Sequence, residues 1–259
     1  MGSDRLFEGR RVLVCGVANE RSIAWGIADS MHRHGASVIM TYAGEILERR
    51  VRPLAESIGA ELVLSCDVAN DAEVETCFAR IGERWDGFDV LVHAIAYADR
   101  EDLDGRFVDT SRDGFRRALE ISAYSLPLLA RHSMPFLAAR RGNILTLSYY
   151  GAQKVVTNYN VMGVAKAALE ASVRYLAADL GPDGVRVNAI SAGPLRTLAA
   201  AGIRGFKQLY ATVEERTPLG RNVTQAEVAA AALFLCSDMG SGVTGEIMYV
   251  DSGYNVMGL

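Results

Sequence analysis

The sequence predicts an α/β fold built on a mostly parallel, doubly wound sheet, and three observations predict it. Seven short runs rich in apolar and β-branched residues recur along the chain, helix-patterned stretches separate them, and no linker, repeat or charge block interrupts the alternation. Parallel strands joined through helices are covered on both faces, so they read as continuous apolar runs. The runs are 11–16 (RVLVCG), 37–42 (SVIMTY), 61–66 (ELVLSC), 88–94 (FDVLVHA), 142–148 (GNILTLS), 184–190 (GVRVNAI) and 245–250 (GEIMYV). Between them, 22–34, 45–58, 71–84, 112–139, 158–180 and 225–237 carry helical periodicity, several closing at punctuation such as Gly181-Pro182. The six prolines stand singly and are expected at helix edges or in loops. One domain over 1–259 is expected. Only 191–224 breaks the rhythm, having no strand of its own, and its segment 195–210 (LRTLAAAGIRGFKQLY) is expected to form a helical lid.

Composition narrows the function classes. The chain has 259 residues, half of them hydrophobic and 22% charged, with a formal net charge of −4, which excludes disorder, collagen-like sequence and a disulfide scaffold. No apolar run approaches the ~18 residues of a membrane helix, the densest being Val228 to Cys236, so no membrane partner is expected. The start MGSDRLFEGRR has no apolar signal core, and Leu6 stands where an acylation signal takes Ser or Thr, so a cytoplasmic, unanchored protein is expected. Cys15, Cys66, Cys77 and Cys236 form no CxxC pair and the four histidines fall in no ligand spacing, so no metal is expected. The mildly acidic balance gives no footprint for nucleic acid.

In a doubly wound sheet ligands sit beyond the carboxyl ends of the strands, where strand order reverses. After the first strand, Gly16 leads through VANERS into a helix whose first residues include Ser22 and Ile23. A glycine there admits a phosphate to the backbone and the helix N-terminus supplies free N–H groups, although the spacing is not G-x-G-x-x-G. The second strand ends in Thr41-Tyr42-Ala43, without the acid that holds an adenosine ribose, while Arg49 and Arg50 either meet a 2′-phosphate or face solvent. Asp67-Val68 follows the third strand and Ile95 the fourth, each suited to a cofactor edge or to capping and packing. Tyr159 and Lys166 are seven residues apart, which returns within about 20° of two full helical turns and separates them by about 10 Å along the axis. They therefore share a face. A phenol can donate to a carbonyl oxygen that gains charge, and a nearby ammonium favours the phenolate and can hold ribose hydroxyls. An amphipathic helix with one aromatic and a snorkelling lysine has the same spacing.

Gly16, Asp67-Val68, the Tyr159–Lys166 helix and NAISAGP (188–194) together resemble the Rossmann-like short-chain dehydrogenase/reductase superfamily. Most members carry Tyr-x3-Lys, but here Gly163 occupies that place and the lysine comes at Tyr-x6-Lys. With Tyr149 ten residues before Tyr159, and with YNVMGVAKAALEASVRYLA and ISAGPLRTLAA, the chain from about residue 8 to 255 resembles the enoyl-acyl-carrier-protein reductases of bacterial fatty-acid synthesis. The resemblance implies reduction of a trans-2-enoyl thioester by hydride from NADH, with acyl-carrier protein as partner and a homotetramer; the apolar strand and tail at 245–259 suit either its interface or a buried edge strand within one subunit. It implies Tyr149 and Tyr159 as active-site tyrosines and Lys166 as the cofactor-holding lysine. Cofactor contacts map to Gly16, Ser22, Ile23, Asp67, Val68, Ile95, Leu195, Arg196, Thr197, Leu198 and Ala199. The substrate wall maps to Ala98, and Tyr97, Met162, Leu198, Ile203 and Phe206 are expected to add apolar contacts. Arg204 and Lys207 beside the lid either meet the acidic carrier or are simply solvated surface charges. Ala43 stands where NADH-using members often have glutamine, which leaves NADPH open, and Asp99 and Thr157 stand where prolines are common. A ketoacyl or alcohol reductase of the superfamily would keep Tyr-x3-Lys, which Gly163 forbids, and the G-x-S-x-G elbow of a serine hydrolase is missing.

Overall fold

The computed structural model describes residues 5–258, so Met1 to Asp4 of the unanchored start and Leu259 of the 245–259 tail lie outside the described residues. In β1 (Arg11–Cys15), Val12 and Val14 alternate with Leu13 and Cys15 and all four are buried, as a strand covered on both faces requires. The same logic sets β2 (Ser37–Tyr42), β3 (Leu62–Ser65), β4 (Val90–His93), β5 (Asn143–Ser148), β6 (Arg186–Ala192) and β7 (Ile247–Val250). These seven form one sheet in the order β3-β2-β1-β4-β5-β6-β7, and every neighbouring pair is parallel. The chain runs outward from β1 to β3 and then crosses back to β4, so strand order reverses between β1 and β4. That reversal opens a crevice at their carboxyl ends.

Nine α-helices are described: α1 (Ile23–Arg33), α2 (Glu45–Ser57), α3 (Asp71–Arg84), α4 (Arg100–Leu103), α5 (Arg112–Leu119), α6 (Ser125–Leu137), α7 (Asn160–Leu180), α8 (Phe206–Arg216) and α9 (Gln225–Cys236). On one face, Ile27 and Met31 of α1 and Val228 and Ala232 of α9 pack on Val12, Val14, Val38 and Val92. On the other, Phe78 and Ile81 of α3, Leu126 and Leu129 of α6, and Leu169 and Val173 of α7 pack on Leu13, Ile39, Leu91 and Ile144. Truncating one such side chain to alanine costs about 2–5 kcal/mol.

Three expectations are corrected. The helix expected over 112–139 is divided by a π-helical turn at Glu120–Tyr124, which neither composition nor periodicity signals. Pro53 and Pro135 lie inside α2 and α6 rather than at edges, each leaving the carbonyl four residues earlier without a backbone donor. The segment expected as a lid to residue 210 begins with a turn of 3₁₀ helix at Ala200–Gly202, and its helix α8 runs on to Arg216. Among the described residues no helix is long and apolar enough to cross a membrane, and no cluster of His, Cys, Asp and Glu is arranged to hold a metal.

Candidate active site

The crevice between β1 and β4 is shaped by Gly16. Its φ is +99°, and an added Cβ would collide with the Ala94 carbonyl, so only glycine lets the end of β1 pass so close to the end of β4. The chain then turns into α1: the Ser22 hydroxyl donates to the Asn19 carbonyl at 2.6 Å and accepts from the Ala18 N–H at 3.4 Å. Ser22 precedes Ile23 at the start of α1, where the helix dipole is positive. From the far side Gln225 Nε2 donates to the Ser22 carbonyl at 2.6 Å and to the Glu20 carbonyl at 3.1 Å, fixing the turn against α9. Sequence reading missed Gln225. Its signal was faint, a polar residue opening a mostly apolar helix.

Around this crevice the other strand ends converge. Asp67 and Val68 follow β3, with Val68 buried and the Asp67 N–H donating to Glu73 at 3.0 Å. Ile95 follows β4 and packs against the core. Leu195 packs on the opposite core cluster, and Arg196 to Ala199 continue from it into the turn at Ala200. Thr41 and Tyr42 end β2 with no acid following, and Arg49 and Arg50 are exposed on α2. A glycine-opened strand end and a helix N-terminus at the reversal point fit a dinucleotide's phosphates.

The residues expected to react stand just after β5 and along α7. Tyr149 follows directly on β5, and Tyr159 stands at the first turn of α7 between Asn158 and Asn160, which both have positive φ (63° and 34°). The two tyrosine rings meet edge to face, centroids 5.0 Å apart at 72°. Two glycines allow this: a Cβ at Gly151 would lie 2.5 Å from Cδ1 of Tyr159, and one at Gly163 would lie 2.8 Å from the Gly151 carbonyl. The glycine that displaces Tyr-x3-Lys is therefore where α7 presses against the loop bearing Tyr149.

Tyr159 is 8% exposed and Lys166 6% exposed. Lys166 Nζ donates to the Leu147 carbonyl at 2.7 Å, leaving two of its three N–H donors. Burial pulls its pKa down to about 8, against the opposing pull of the Glu170 carboxylate one turn further along α7. Glu170 is itself buried and accepts from the Ser148 hydroxyl at 2.5 Å, so it also anchors the strand end before Tyr149. A carboxylate four residues after a lysine on an apolar helix was the available signal for it. Burial pushes the Tyr149 phenol up to about 12 and the Tyr159 phenol well above its ordinary value. Desolvation, and then Tyr149, hold the Tyr159 phenol protonated, so it stands as a neutral donor rather than the phenolate that an adjacent ammonium would favour.

Some of the residues expected to form an apolar wall are brought together. Tyr159, Met162 and Ala165 pack with Ala98, Leu103, Leu119, Tyr149, Val156 and Ile203. Tyr97 and Phe206 stand apart from this cluster. Tyr97 is 46% exposed and its phenol donates to Asp99 at 2.9 Å, because Asp99, paired with Arg117, draws it outward. Phe206 lies instead with Tyr210, Arg196 and Lys207 beside a cavity of about 340 Å³. Leu198 is exposed. Arg204 is bonded to Asp104 at 3.0 and 3.2 Å, so it is not a free cation at the rim, whereas Lys207 has no carboxylate within 4.0 Å among the described residues.

Comparison with known proteins gives the family. Residues 16–255 match the family described as enoyl-(acyl carrier protein) reductase. The chain is 56% identical over 255 residues to an enoyl-acyl-carrier-protein reductase (NADH) of Bacillus cereus, covering 98% of this chain and 99% of the relative. A crystal structure of the Bacillus cereus enoyl-acyl-carrier-protein reductase with NADP+ and an indole naphthyridinone superposes with a TM-score of 0.96, at 56% identity over 98% of this chain and 100% of that one. The Anaplasma phagocytophilum reductase in complex with NAD superposes with a TM-score of 0.95, at 49% identity over 100% of this chain and 98% of that one. Fold, Tyr-x6-Lys geometry and near full-length identity lead to one conclusion: the chain belongs to the enoyl-acyl-carrier-protein reductase family of the short-chain dehydrogenase/reductase superfamily.

Proposed function

We propose that this protein reduces the trans-2 double bond of enoyl groups carried on acyl-carrier protein, using NADH, in the last step of the fatty-acid elongation cycle. The observation that carries the reading is a buried, neutral Tyr159 edge to face with Tyr149 and on one helix face with a buried Lys166. The dinucleotide, when bound, supplies the hydride that adds to the substrate β-carbon. Charge then builds on the thioester oxygen, and a phenol held neutral by burial is suited to donate a hydrogen bond to it. Tyr159 takes that role and passes a proton to the product directly or through water, while Tyr149 walls the pocket and orients the thioester. Lys166, tied to the Leu147 carbonyl, has two donors left for ribose hydroxyls. Gly16, Ser22, Ile23, Asp67, Val68, Ile95 and the segment Leu195 to Ala199 hold the rest of the dinucleotide, and Ala98 and Met162 line the acyl site.

The same reading makes the chain one domain with 195–210 and α8 as a lid over the acyl group, assembled as a homotetramer in the cytoplasm. The half-buried edge strand β7 supports the assembly, since an unpaired strand edge with partly exposed apolar residues is suited to a partner copy. The deciding experiment follows nicotinamide absorbance with crotonyl and ketoacyl thioesters, each offered NADH and NADPH. Oxidation of NADH with the crotonyl thioester is expected; turnover of the ketoacyl thioester alone would overturn the reading.

A further inference from the structure

Two asparagines flank Tyr159, and both are bent into the left-handed region, Asn158 at φ 63° and Asn160 at φ 34°. Asparagine tolerates that region better than most residues with a side chain, yet the conformation is still strained and persists only where the surroundings hold it. Here each side chain is held by a different distant segment. Asn158 Nδ2 donates to the Arg204 carbonyl at 2.8 Å, and Asn160 Nδ2 donates to the Gly105 carbonyl at 3.2 Å. The two segments, 103–105 and 203–205, repeat one order of residue types. Leu103 and Ile203 both pack in the Tyr159 cluster. The next residues, Asp104 and Arg204, pair with each other at 3.0 Å. Gly105 and Gly205 then turn the chain, at φ +79° and +76°. These links close a ring that runs from Asn158 through Arg204, Asp104 and Gly105 to Asn160 and back through the Tyr159 backbone. The Asp104–Arg204 pair is exposed and contributes little by itself, so the two amide donors carry the ring.

We propose that Asn158 and Asn160 are positioning residues, which clasp 103–105 and 203–205 and thereby fix the Tyr159 phenol against the reacting oxygen. The inference rests on the reading above of Tyr159 as donor to the thioester oxygen. Losing the donor at either end frees one segment, and with it Leu103 or Ile203, whose packing holds the ring of Tyr159. A displacement of about 1 Å at a reacting group costs up to about a hundredfold in rate.

Asn158→Gly and Asn160→Gly keep the left-handed backbone and remove the donor. With a crotonyl thioester, kcat is expected to fall about tenfold in each, with the dissociation constant for NADH unmoved. In a Tyr159→Phe background the same substitutions are expected to lower kcat no further, because an asparagine that acts through the phenol then has nothing left to position. Equal losses in both backgrounds overturn the proposal, and so does an unchanged kcat in the single variants. Asn158→Asp and Asn160→Asp, which keep the shape and lose the donor, are expected to show the same losses and serve where a glycine variant does not fold. Hydrogen exchange read by mass spectrometry follows the clasp without turnover. Peptides covering 200–206 in the Asn158 variants and 100–106 in the Asn160 variants are expected to exchange about tenfold faster, with the β5 peptide as in the parent. Unchanged exchange overturns the clasp. If the parent reduces no enoyl thioester, the reading of Tyr159 falls, while the exchange result still decides the clasp.

Discussion

At Tyr159 and Lys166 the decisive quantity is burial. Spacing places both side chains on one face, but it leaves open whether the ammonium or desolvation governs the phenol, and in the structure desolvation does. Tyr159→Phe removes the donor and keeps the ring, so kcat is expected to fall about a hundredfold with the dissociation constant for NADH unchanged. Lys166→Met removes the ribose donors and is expected to weaken NADH binding as well as turnover; fluorescence titration beside steady-state rates separates the two. The Lys166 pKa of about 8 adds a pH dependence. Below that value the ammonium is present and NADH binds; as pH rises through about 8 to 9 the charge is lost and the NADH dissociation constant climbs. The charged or titratable neighbours behind this are Glu170, which favours the cation, and His93, which Lys166 opposes. A flat profile for Lys166→Met, against a rising one for the parent, is the expected pair of results.

Among the elements, β4, β5 and the π-helical turn are tied by one buried chain. His93, completely buried, meets Thr146 Oγ1 through Nδ1 and Ser125 Oγ through Nε2, both at 2.8 Å, and Ser125 donates to the Ile121 carbonyl at 2.6 Å. One residue along, buried Ser122 accepts from the Tyr97 N–H at 2.8 Å and donates to the Tyr97 carbonyl at 2.9 Å, pinning the backbone beside Ala98. The π turn is thus what sets the loop of the substrate wall, as π-bulges at functional sites commonly do. Burial, and then the Lys166 charge, push His93 down to about 3 from the ordinary 6.5. Between those values the unfolded chain takes up a proton that the folded one refuses. Stability from this group is complete above pH 6.5 and falls toward pH 3, by roughly 1 kcal/mol per pH unit. His93→Gln is expected to flatten that part of a denaturation series measured from pH 7 to 4.

Over the whole molecule, the groups proposed to hold cofactor and substrate lie at strand ends that span Gly16 to Ala199, so binding there would couple to the stability of the entire sheet. Saturating NADH at about 100 times its dissociation constant adds about 2.7 kcal/mol, a rise in Tm of roughly 5–10 °C, as one calorimetric transition. Two transitions, with only one moved by NADH, would divide the chain into separate domains. The seven strands were legible because parallel strands buried on both faces must be apolar throughout, and the apolar runs agree with the observed strands to within about two residues at most ends. Tyr159 and Lys166 were legible because helical periodicity is a local property, and the resemblance rested on contiguous motifs. Gln225 against Ser22, Glu170 with Ser148, and Asp104 on Arg204 were not, for each is set by packing between distant segments. The sequence by itself determined the order of strands and helices, the residue types at the strand ends and the family. Only the tertiary structure decided that the Tyr159 phenol stays neutral, that Phe206 stands apart from the Tyr159 cluster, beside Arg196 and Lys207, and that Arg204 pairs with Asp104 while Lys207 has no carboxylate within 4.0 Å among the described residues. Desolvation and charge pairing depend on what surrounds a group in space, and no local pattern in the chain encodes that.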